Sequence, residues 1–207
     1  MKNQGTLIVF SGPSGVGKGS ICRKLKTINP NAMVSVSATT RKPREGEVDG
    51  VDYFFLSREE FEQKIEENAF LEYSYHFGNY YGTPRAEVEK ALERGHDVIL
   101  EIETNGGALI REQGENAIFV FVLPPNLQEL RRRIENRGSE NKEEIVNRLK
   151  RAVKELDYIN LYDYSIVNDD IDEAAEKLNM ILNSARLRPW KYQDLLDEIR
   201  DDLLKEF

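Results

Sequence analysis

A glycine-rich turn near the amino terminus carries the residues best suited to phosphate chemistry. An apolar run from Leu7 to Phe10 leads into the segment Gly12-Pro13-Ser14-Gly15-Val16-Gly17-Lys18-Gly19-Ser20, and a helical pattern follows. Glycines at such a strand-to-helix turn let backbone amides point inward, and the helix adds the positive end of its dipole. Lys18 supplies a mobile positive charge for the outer phosphates of a nucleotide. We therefore interpret the segment as a phosphate-binding loop (P-loop), with an ordinary glycine-rich turn as the alternative.

Charged side chains that could meet a ligand are concentrated at three further places. Arg41, Lys42 and Arg44 lie in a polar loop broken by proline and glycine, and loops often carry binding groups. Glu101 and Glu103 end a buried-type strand, where unpaired carboxylates would be unfavourable. The third place is a group of arginines, namely Arg131, Arg132, Arg133, Arg137, Arg148 and Arg151. Positive groups on an acidic chain indicate a small anion held at defined points, while a solvated helix face is the alternative for the third group.

Composition and charge limit the possible classes of protein. With 207 residues, 40% of them hydrophobic, the chain can bury one good core. The net charge of −8 disfavours a nucleic-acid-binding protein, because phosphate backbones bind basic surfaces. No membrane span or signal peptide is recognisable, so we expect a cytoplasmic protein that binds no membrane. Cys22, the single cysteine, excludes an internal disulfide and is interpreted as a small apolar filler on the first helix.

The order of apolar segments predicts the fold class. Strands alternate with helices at the start and again from Asp97 onward, which predicts an α/β fold with a mostly parallel sheet covered by helices on both faces. Between them, residues 37–95 are richer in short strands and turns and are interpreted as an insertion. Ligands of such sheets bind beyond the carboxyl ends of the strands. The P-loop, the insertion and the Glu101 and Glu103 end should therefore share one cleft.

Local signals predict details of the insertion and its borders. A strand is expected from Met33 to Ser37, followed by a polar loop. Ser57 and Glu60 form a capping box for the next helix. The glycine- and tyrosine-rich stretch 77–84 predicts a turn, in which Thr83 can cap the helix that follows.

The tail after Pro189 has apolar residues at helical spacing among acidic ones. This pattern predicts one amphipathic helix that packs on the body of the protein or on a second subunit. Its apolar residues are Tyr192, Leu195, Leu196, Ile199 and Leu203.

Several motifs in a fixed order resemble those of one family. Besides the P-loop they are Ser35-Val36-Ser37-Ala38-Thr39-Thr40-Arg41-Lys42-Pro43-Arg44, Gly78-Asn79-Tyr80-Tyr81-Gly82-Thr83, Arg137-Gly138 and Ile166-Val167-Asn168-Asp169-Asp170. From Gly5 to about Ser184 the sequence resembles the guanylate kinases. The resemblance implies phosphoryl transfer from ATP to GMP or dGMP in purine nucleotide metabolism. It implies a P-loop core (1–36 and 96–184), a small mixed GMP-binding insertion (37–95), a helical lid (126–157) and a C-terminal helical tail (185–207).

The resemblance also assigns the GMP site. Guanine presents a carbonyl acceptor beside two N–H donor groups, so hydroxyls can meet the first and carboxylates the others. Each residue also has a structural alternative. Arg41 and Arg44 could simply keep the loop soluble, and Tyr53 and Tyr81 could pack in the core. Glu72 could lie on an exposed strand face. Two arginines three residues apart, with no nearby acidic helix partner, favour an anion site. The implied residues are Arg41, Arg44, Tyr53 and Tyr81 for the GMP phosphate, and Ser37, Glu72, Thr83 and Glu103 for guanine.

For ATP, the resemblance implies catalytic roles for Lys18 and the lid arginines Arg133, Arg137 and Arg148, which would close on the phosphates. Asn168 would border adenine. Gly19 stands where the general pattern has a hydroxyl, so Mg²⁺ bound with ATP would rely more on water, with Ser20 and Glu101 as candidate ligands. The residues implied for ATP are Gly12, Pro13, Ser14, Gly15, Val16, Gly17, Lys18, Gly19, Ser20 and Asn168.

Two other functions are alternatives to this enzyme. One is a non-catalytic guanylate-kinase-like binding module, but such modules lose parts of the P-loop or lid that are present here. The other is a kinase for a different monophosphate, which the guanine-reading residues disfavour. The sequence also allows a homo-oligomer through the C-terminal helix.

Overall fold

A computed structural model describes residues 4–76, 78–136 and 142–206, apart from the side chains of residues 142–144 and 190. The described chain contains nine strands in two sheets. The strands are β1 Leu7–Ser11, β2 Ala32–Val34, β3 Ala38–Thr39, β4 Phe54–Phe55, β5 Phe70–His76, β6 Asn79–Pro84, β7 Asp97–Glu101, β8 Ala117–Leu123 and β9 Tyr164–Val167.

Eight α-helices and two 3₁₀ turns are found in the described ranges. The turns span Asp157–Leu161 and Pro189–Tyr192. The helices are α1 Lys18–Ile28, α2 Arg58–Glu66, α3 Arg85–Glu93, α4 Thr104–Glu112, α5 Leu127–Glu135, α6 Lys142–Leu156, α7 Ile171–Ala185 and α8 Gln193–Glu206.

The larger sheet has the order β2-β7-β1-β8-β9, and every pair in it is parallel. Alternate residues of β1 face opposite layers. Ile8 and Phe10 pack with α1 and α7, whereas Leu7 and Val9 pack on the side of α3 and α4. Because both faces are covered, β1 is a continuous apolar run, as buried parallel strands are. The predicted α/β fold with a helix-covered parallel sheet is confirmed.

Cys22 lies buried in the layer formed by α1 and α7. Burial raises the pKa of its thiol well above the ordinary value, with Glu101 adding to the effect. The interpretation of this residue as an apolar filler is confirmed.

The smaller sheet has the order β4-β3-β6-β5 and mixes one parallel pair with two antiparallel pairs. Its core is aromatic: the Phe61 ring of α2 stacks on Phe70 with centroids 4.3 Å apart and on Tyr80 at 5.1 Å. The predicted capping box is present, since the Ser57 hydroxyl accepts from the Glu60 amide and the Glu60 carboxylate accepts from the Ser57 amide. This small mixed sheet agrees with the predicted fold class.

Three local predictions about this region and its border are wrong. The stretch 77–84 is not a turn from 79 onward: β6 pairs with both β3 and β5. Thr83 does not cap α3, whose N-cap is Pro84 without a side-chain bond. The Thr83 hydroxyl donates to Glu72 Oε1 instead. The strand expected from Met33 to Ser37 ends at Val34, and the chain then enters the second sheet at β3.

The C-terminal helix α8 forms as predicted, but none of its described side chains is buried. Packing of this helix on the body of the same chain is therefore not seen. Leu195 is 37% exposed and Leu203 is 51% exposed, so the apolar face meets solvent in a single chain. Among the described residues, every helix is too short or too polar to span a bilayer.

Candidate active site

The P-loop connects the end of β1 to the start of α1, as the sequence predicts. Gly17 occupies the N-cap of α1 with φ of +98°, a left-handed conformation that glycine adopts without strain. A Cβ at this position would lie 2.5 Å from Asn168 Nδ2. Glycine is thus required here by both conformation and space. The loop amides that precede α1 stay at the positive end of its dipole.

Lys18 is the first residue of α1, and its side chain returns over the loop. Its Nζ donates to the Gly12 carbonyl at 2.6 Å. The ammonium therefore lies beside the loop backbone, where an anion held by the amides would meet it.

Two arginines of the predicted lid reach the P-loop from other helices. Arg133 Nη1 on α5 donates to the Val16 carbonyl at 3.2 Å. Arg148 Nη2 on α6 donates to Ser14 Oγ at 2.9 Å. The third lid residue named from the sequence, Arg137, lies outside the described residues. Two of the implied cations therefore meet the loop from different helices.

Arg133 also has an acidic neighbour. Its Nε donates to Glu129 Oε1 at 2.7 Å. Hydrogen bonds from Arg132 and Arg133 lower the pKa of Glu129 to about 2. Glu129 is thus ionised at neutral pH and fixes the Arg133 guanidinium near the loop.

Asn168 follows β9 and is buried against the P-loop. Its Nδ2 donates to the Val16 carbonyl at 2.7 Å, while Oδ1 has no hydrogen-bond partner among the described residues. It lines a cleft of about 590 Å³ together with Gly15, Gly17, Ser20 and Arg133. A cleft of this size suits a nucleotide-sized ligand.

The two residues named as metal ligands lie on either side of Gly19. Glu101 ends β7 in register with Phe10, and a Cβ on Gly19 would be 3.4 Å from each Glu101 carboxylate oxygen. Ser20 Oγ accepts from Arg23 Nη2 at 3.0 Å. Within the described ranges no three His, Cys, Asp or Glu side chains converge as a metal site. One carboxylate and one hydroxyl suit a cation that keeps most of its water, which is the preference of Mg²⁺.

On the smaller sheet, Glu72 is buried with 8% exposure and has a hydroxyl partner. Thr83 Oγ1 donates to Glu72 Oε1 at 2.6 Å, and a Cβ on Gly106 would lie 2.9 Å from Glu72 Oε2. Burial raises the pKa of Glu72 to about 7, with Glu103 also raising it and the Thr83 hydrogen bond opposing the shift. The exposed-face alternative for Glu72 is therefore wrong. Ser37 directly precedes β3, and its carbonyl accepts from the Phe54 amide at 2.9 Å.

Arg41 lies beside aromatic rings and an acidic partner. Its guanidinium binds Glu47 through two hydrogen bonds of 2.9 Å and lies 5.3 Å from the Tyr53 ring centroid. The Tyr53 and Tyr81 rings meet edge to face at 6.3 Å. This acidic partner is not the helix residue that the sequence pattern was expected to reveal: Glu47 lies in the same loop as Arg41. Arg44 is exposed, and its amide also donates to Glu47 at 2.8 Å.

Glu103 precedes α4 and pairs with a residue that the sequence reasoning left without a role. Arg151 Nη2 on α6 lies 2.7 Å from Glu103 Oε2. Arg151 Nε donates to Glu155 Oε1 at 3.0 Å, and Glu155 Oε2 accepts from the Ser14 amide at 3.1 Å. The sequence indicates part of this arrangement. Arg148, Arg151 and Glu155 are spaced three and four residues apart, which places them on one helix face.

Comparisons with known proteins agree with this geometry. The family model described as guanylate kinase matches residues 4–185. The chain is 48% identical over 202 residues to a guanylate kinase of Caldanaerobacter subterraneus subsp. tengcongensis, covering 98% of each chain. It is 49% identical over 187 residues to one of Desulfitobacterium hafniense, covering 90% of this chain and 94% of that one. The crystal structure of guanylate kinase from Anaplasma phagocytophilum matches with a TM-score of 0.72 at 35% identity, covering 91% of this chain and 89% of that one.

A P-loop after the central strand of a parallel sheet, with arginines directed at it and a second sheet carrying buried polar groups, defines a P-loop phosphotransferase. The chain belongs to the guanylate kinase family. It is accordingly an enzyme, an ATP:GMP phosphotransferase.

Proposed function

We propose that the two sheets divide the work of this reaction between them. The P-loop of the larger sheet holds ATP, and the smaller sheet presents GMP to it, so that the γ-phosphoryl group passes to a GMP phosphate oxygen and gives ADP and GDP. The observation that carries this assignment is the buried Glu72–Thr83 pair, a carboxylate and a hydroxyl at 2.6 Å on the smaller sheet. The pair links β5 and β6, but the backbones of these strands already pair with each other, so the side chains are available to read a base edge.

Guanine recognition follows from the donor and acceptor inventory of the pocket. The Ser37 hydroxyl donates to the carbonyl oxygen, and the Thr83 hydroxyl would join it by turning its single proton away from Glu72 Oε1. The carboxylates of Glu72 and Glu103 accept from the ring N–H and the amino group. Adenine reverses this edge, so AMP would leave the buried Glu72 carboxylate facing an acceptor. We expect dGMP to be accepted as well, since none of these contacts uses the 2′-hydroxyl.

The GMP phosphate is assigned to the polar loop and its tyrosines. Arg41 and Arg44 supply positive charge, while Tyr53 and Tyr81 supply hydroxyl donors. The support is the packing of Arg41 on the Tyr53 ring and of Tyr53 on Tyr81. Arg41 has five N–H donors, so a phosphate could bind it while part of its contact with Glu47 persists.

Transfer itself requires positioning and charge neutralisation more than covalent chemistry from the protein. Lys18, Arg133, Arg137 and Arg148 would neutralise the phosphates, and the support for three of them is their contact with the P-loop. Asn168 would border the adenine as a packing contact. A GMP phosphate oxygen is already anionic near neutral pH, so no general base is needed. The remaining ATP contacts would come from Gly12, Pro13, Ser14, Gly15, Val16, Gly17, Gly19 and Ser20.

The family generally needs a divalent metal, and we propose Mg²⁺ bound with ATP. Ser20 and Glu101 would hold it, directly or through water, since Ser20 follows Gly19 in the chain and both Glu101 carboxylate oxygens would lie 3.4 Å from a Cβ at Gly19. When bound, the cation would neutralise charge on the transferring phosphates.

The domain limits remain a prediction, namely a core of 1–36 and 96–184, an insertion of 37–95, a lid of 126–157 and a tail of 185–207. All four strands of the smaller sheet fall between 38 and 84, which supports the limits of the insertion. A cytoplasmic location and a homo-oligomer through α8 are likewise predictions. The exposed apolar face of α8 supports the second of these.

A nucleobase panel tests the guanine assignment. Turnover is measured by coupled ADP release with GMP, dGMP, AMP, CMP and UMP at equal concentration. We expect kcat/KM for GMP to exceed that for AMP by about 10⁴-fold, because a site built to pair polar groups rejects a base that leaves them unpaired. Higher turnover with AMP than with GMP would refute the assignment of Glu72 and Glu103.

A further inference from the structure

A continuous set of polar contacts joins the P-loop to the guanine-reading end of the site through α6. It runs from the Ser14 amide to Glu155, from Glu155 to Arg151, and from Arg151 to Glu103. Each step is a hydrogen bond or ion pair between 2.7 and 3.1 Å. The contacts lead from the P-loop to the N-cap of α4, and none of the residues that make them belongs to a strand.

Glu155 is the fixed point of this set. It is a buried carboxylate with 7% exposure, and such a group needs compensation from donors. The Ser14 amide and the Arg151 Nε supply that compensation on separate oxygens. Arg151 is consequently held from one side by a buried anchor, while Glu103 on its other side remains partly exposed, at 42% for the side chain.

The shape of the guanidinium group explains why an arginine occupies position 151. One planar fork directs Nε at Glu155 and Nη2 at Glu103, so both carboxylates are met by a single side chain. A lysine ammonium is a point charge without this fork and would satisfy one partner poorly. Burial lowers the pKa of Arg151, but Glu103 and Glu155 raise it by more, so the cation is retained.

We propose that Arg151 is a positioning residue for base recognition: anchored on Glu155, it binds one oxygen of Glu103 and leaves Glu103 Oε1 oriented for the N–H groups of guanine. The inference rests on the proposed role of Glu103 in reading guanine. Without Arg151, Glu103 would be a mobile surface carboxylate whose ordering on binding would weaken GMP affinity. Its unscreened charge would also act on the buried Glu72, whose pKa Glu103 already raises.

The competing view is that Arg151 only fastens α6 to the rest of the protein. A double-mutant cycle separates the two views, because interaction energies appear as non-additivity. The variants are R151M, E103Q and R151M/E103Q, with R151K to retain the charge without the fork. R111M is the matched control. Arg111 on α4 forms an ion pair with Asp163, just before β9, at 2.6 Å and outside the proposed site. Its side chain is 37% exposed, close to the 41% of Arg151.

GMP affinity is measured by calorimetry without ATP, and KM for GMP, KM for ATP and kcat are measured by ADP release. We expect R151M to weaken GMP binding and raise KM for GMP by about tenfold, the scale of one hydrogen bond to a charged group, with a smaller change in KM for ATP. R151K should recover only part of this loss. In the E103Q background, adding R151M should change GMP binding by less than about twofold.

Equal effects of R151M in both backgrounds, or unchanged GMP affinity in a folded R151M variant, would overturn the inference. Thermal melting of every variant identifies a general loss of structure, which R111M should reproduce without a change in KM for GMP. Failure of the proposed role of Glu103 is a different result: E103Q alone would then leave GMP affinity unchanged.

Discussion

The two ends of the active site are constructed from different parts of the polypeptide. The P-loop end is made largely of backbone, with Gly17 in a left-handed conformation and Lys18 folded back onto the Gly12 carbonyl. The guanine end is made of side chains that satisfy each other, such as Thr83 with Glu72 and Arg151 with Glu103. A backbone site is set by local sequence, whereas a side-chain site is set by residues far apart in the chain.

This difference predicts how each end responds to substitution. A backbone-built anion site has few side chains that can be exchanged, and Arg23, the next cation along the same helix, is engaged with Ser20 Oγ. A side-chain site has several partial contributors, so the loss of one gives a graded effect. The following substitutions test that contrast, beginning with the largest expected effect.

Replacing Lys18 by methionine should have the largest effect. We expect K18M to lower kcat by about a thousandfold or more, on the scale known for cations that stabilise phosphoryl transfer. The measurement is ADP release at saturating GMP and ATP.

The control for this change is K26M. Lys26 lies in the last turn of the same helix, is exposed, and is not among the residues that line the cleft beside the P-loop. K26M should retain wild-type kcat, and circular dichroism should show both variants folded. Activity in K18M within tenfold of wild type would contradict the assignment of Lys18.

The raised pKa of Glu72 predicts a pH dependence of intermediate size. Guanine donors need the ionised carboxylate, so kcat/KM for GMP should fall by about tenfold per pH unit once the pH drops below the pKa of about 7. The GMP phosphate titrates near pH 6 and adds a second decline. In E72Q the inflection assigned to Glu72 should disappear, while the decline from the phosphate persists.

Stability should change with pH in the opposite sense. Burial favours the protonated form of Glu72, so its contribution to stability is fully present below the ordinary glutamate pKa of 4.5 and is lost as pH rises through about 7. The melting temperature of E72Q should therefore depend less on pH across this window than that of wild type. Identical pH profiles in the two proteins would contradict the assigned pKa.

The smallest effect is expected at Glu47. The Glu47 carboxylate accepts from the Arg41 guanidinium and from the Arg44 backbone amide, so it competes with the GMP phosphate for Arg41. The side chains of Arg41 and Glu47 are 16% and 20% exposed, so solvent still reaches the pair. We expect E47Q to lower KM for GMP by about threefold, the scale of an ion pair that solvent partly screens, without changing KM for ATP. E62Q, which removes another arginine partner on α2, is the matched control. A rise in KM for GMP in E47Q would mean that Glu47 orients Arg41 instead of competing for it.

The same contrast explains what the sequence could predict. The P-loop, the apolar strands of the parallel sheet and the capping box at Ser57 depend on neighbouring residues, and all were predicted. The glycines and tyrosines around β6 favour a turn in the sequence, whereas its strand conformation comes from pairing with β3 and β5. The local pattern is compatible with Glu72 on an exposed strand face, but in the fold Gly106 of α4 packs against its carboxylate.

The residues that were missed depend on contacts between distant segments. Arg151 and Glu155 share a helix face that periodicity can identify, but their partners Glu103 and Ser14 are 48 and 141 positions away. Nothing in the local pattern indicates those partners. Glu47 was overlooked for a simpler reason, since an acidic partner was sought on a helix and not within the loop itself.

The burial of Cys22 has a practical consequence. A thiol with a raised pKa in an apolar layer is a poor nucleophile, because only the thiolate reacts readily with alkylating dyes. Since the chain has no other cysteine, one introduced on an exposed surface position would be the sole site for maleimide coupling. A fluorophore or a spin label could thus be attached to this enzyme at one chosen position without first removing its native cysteine.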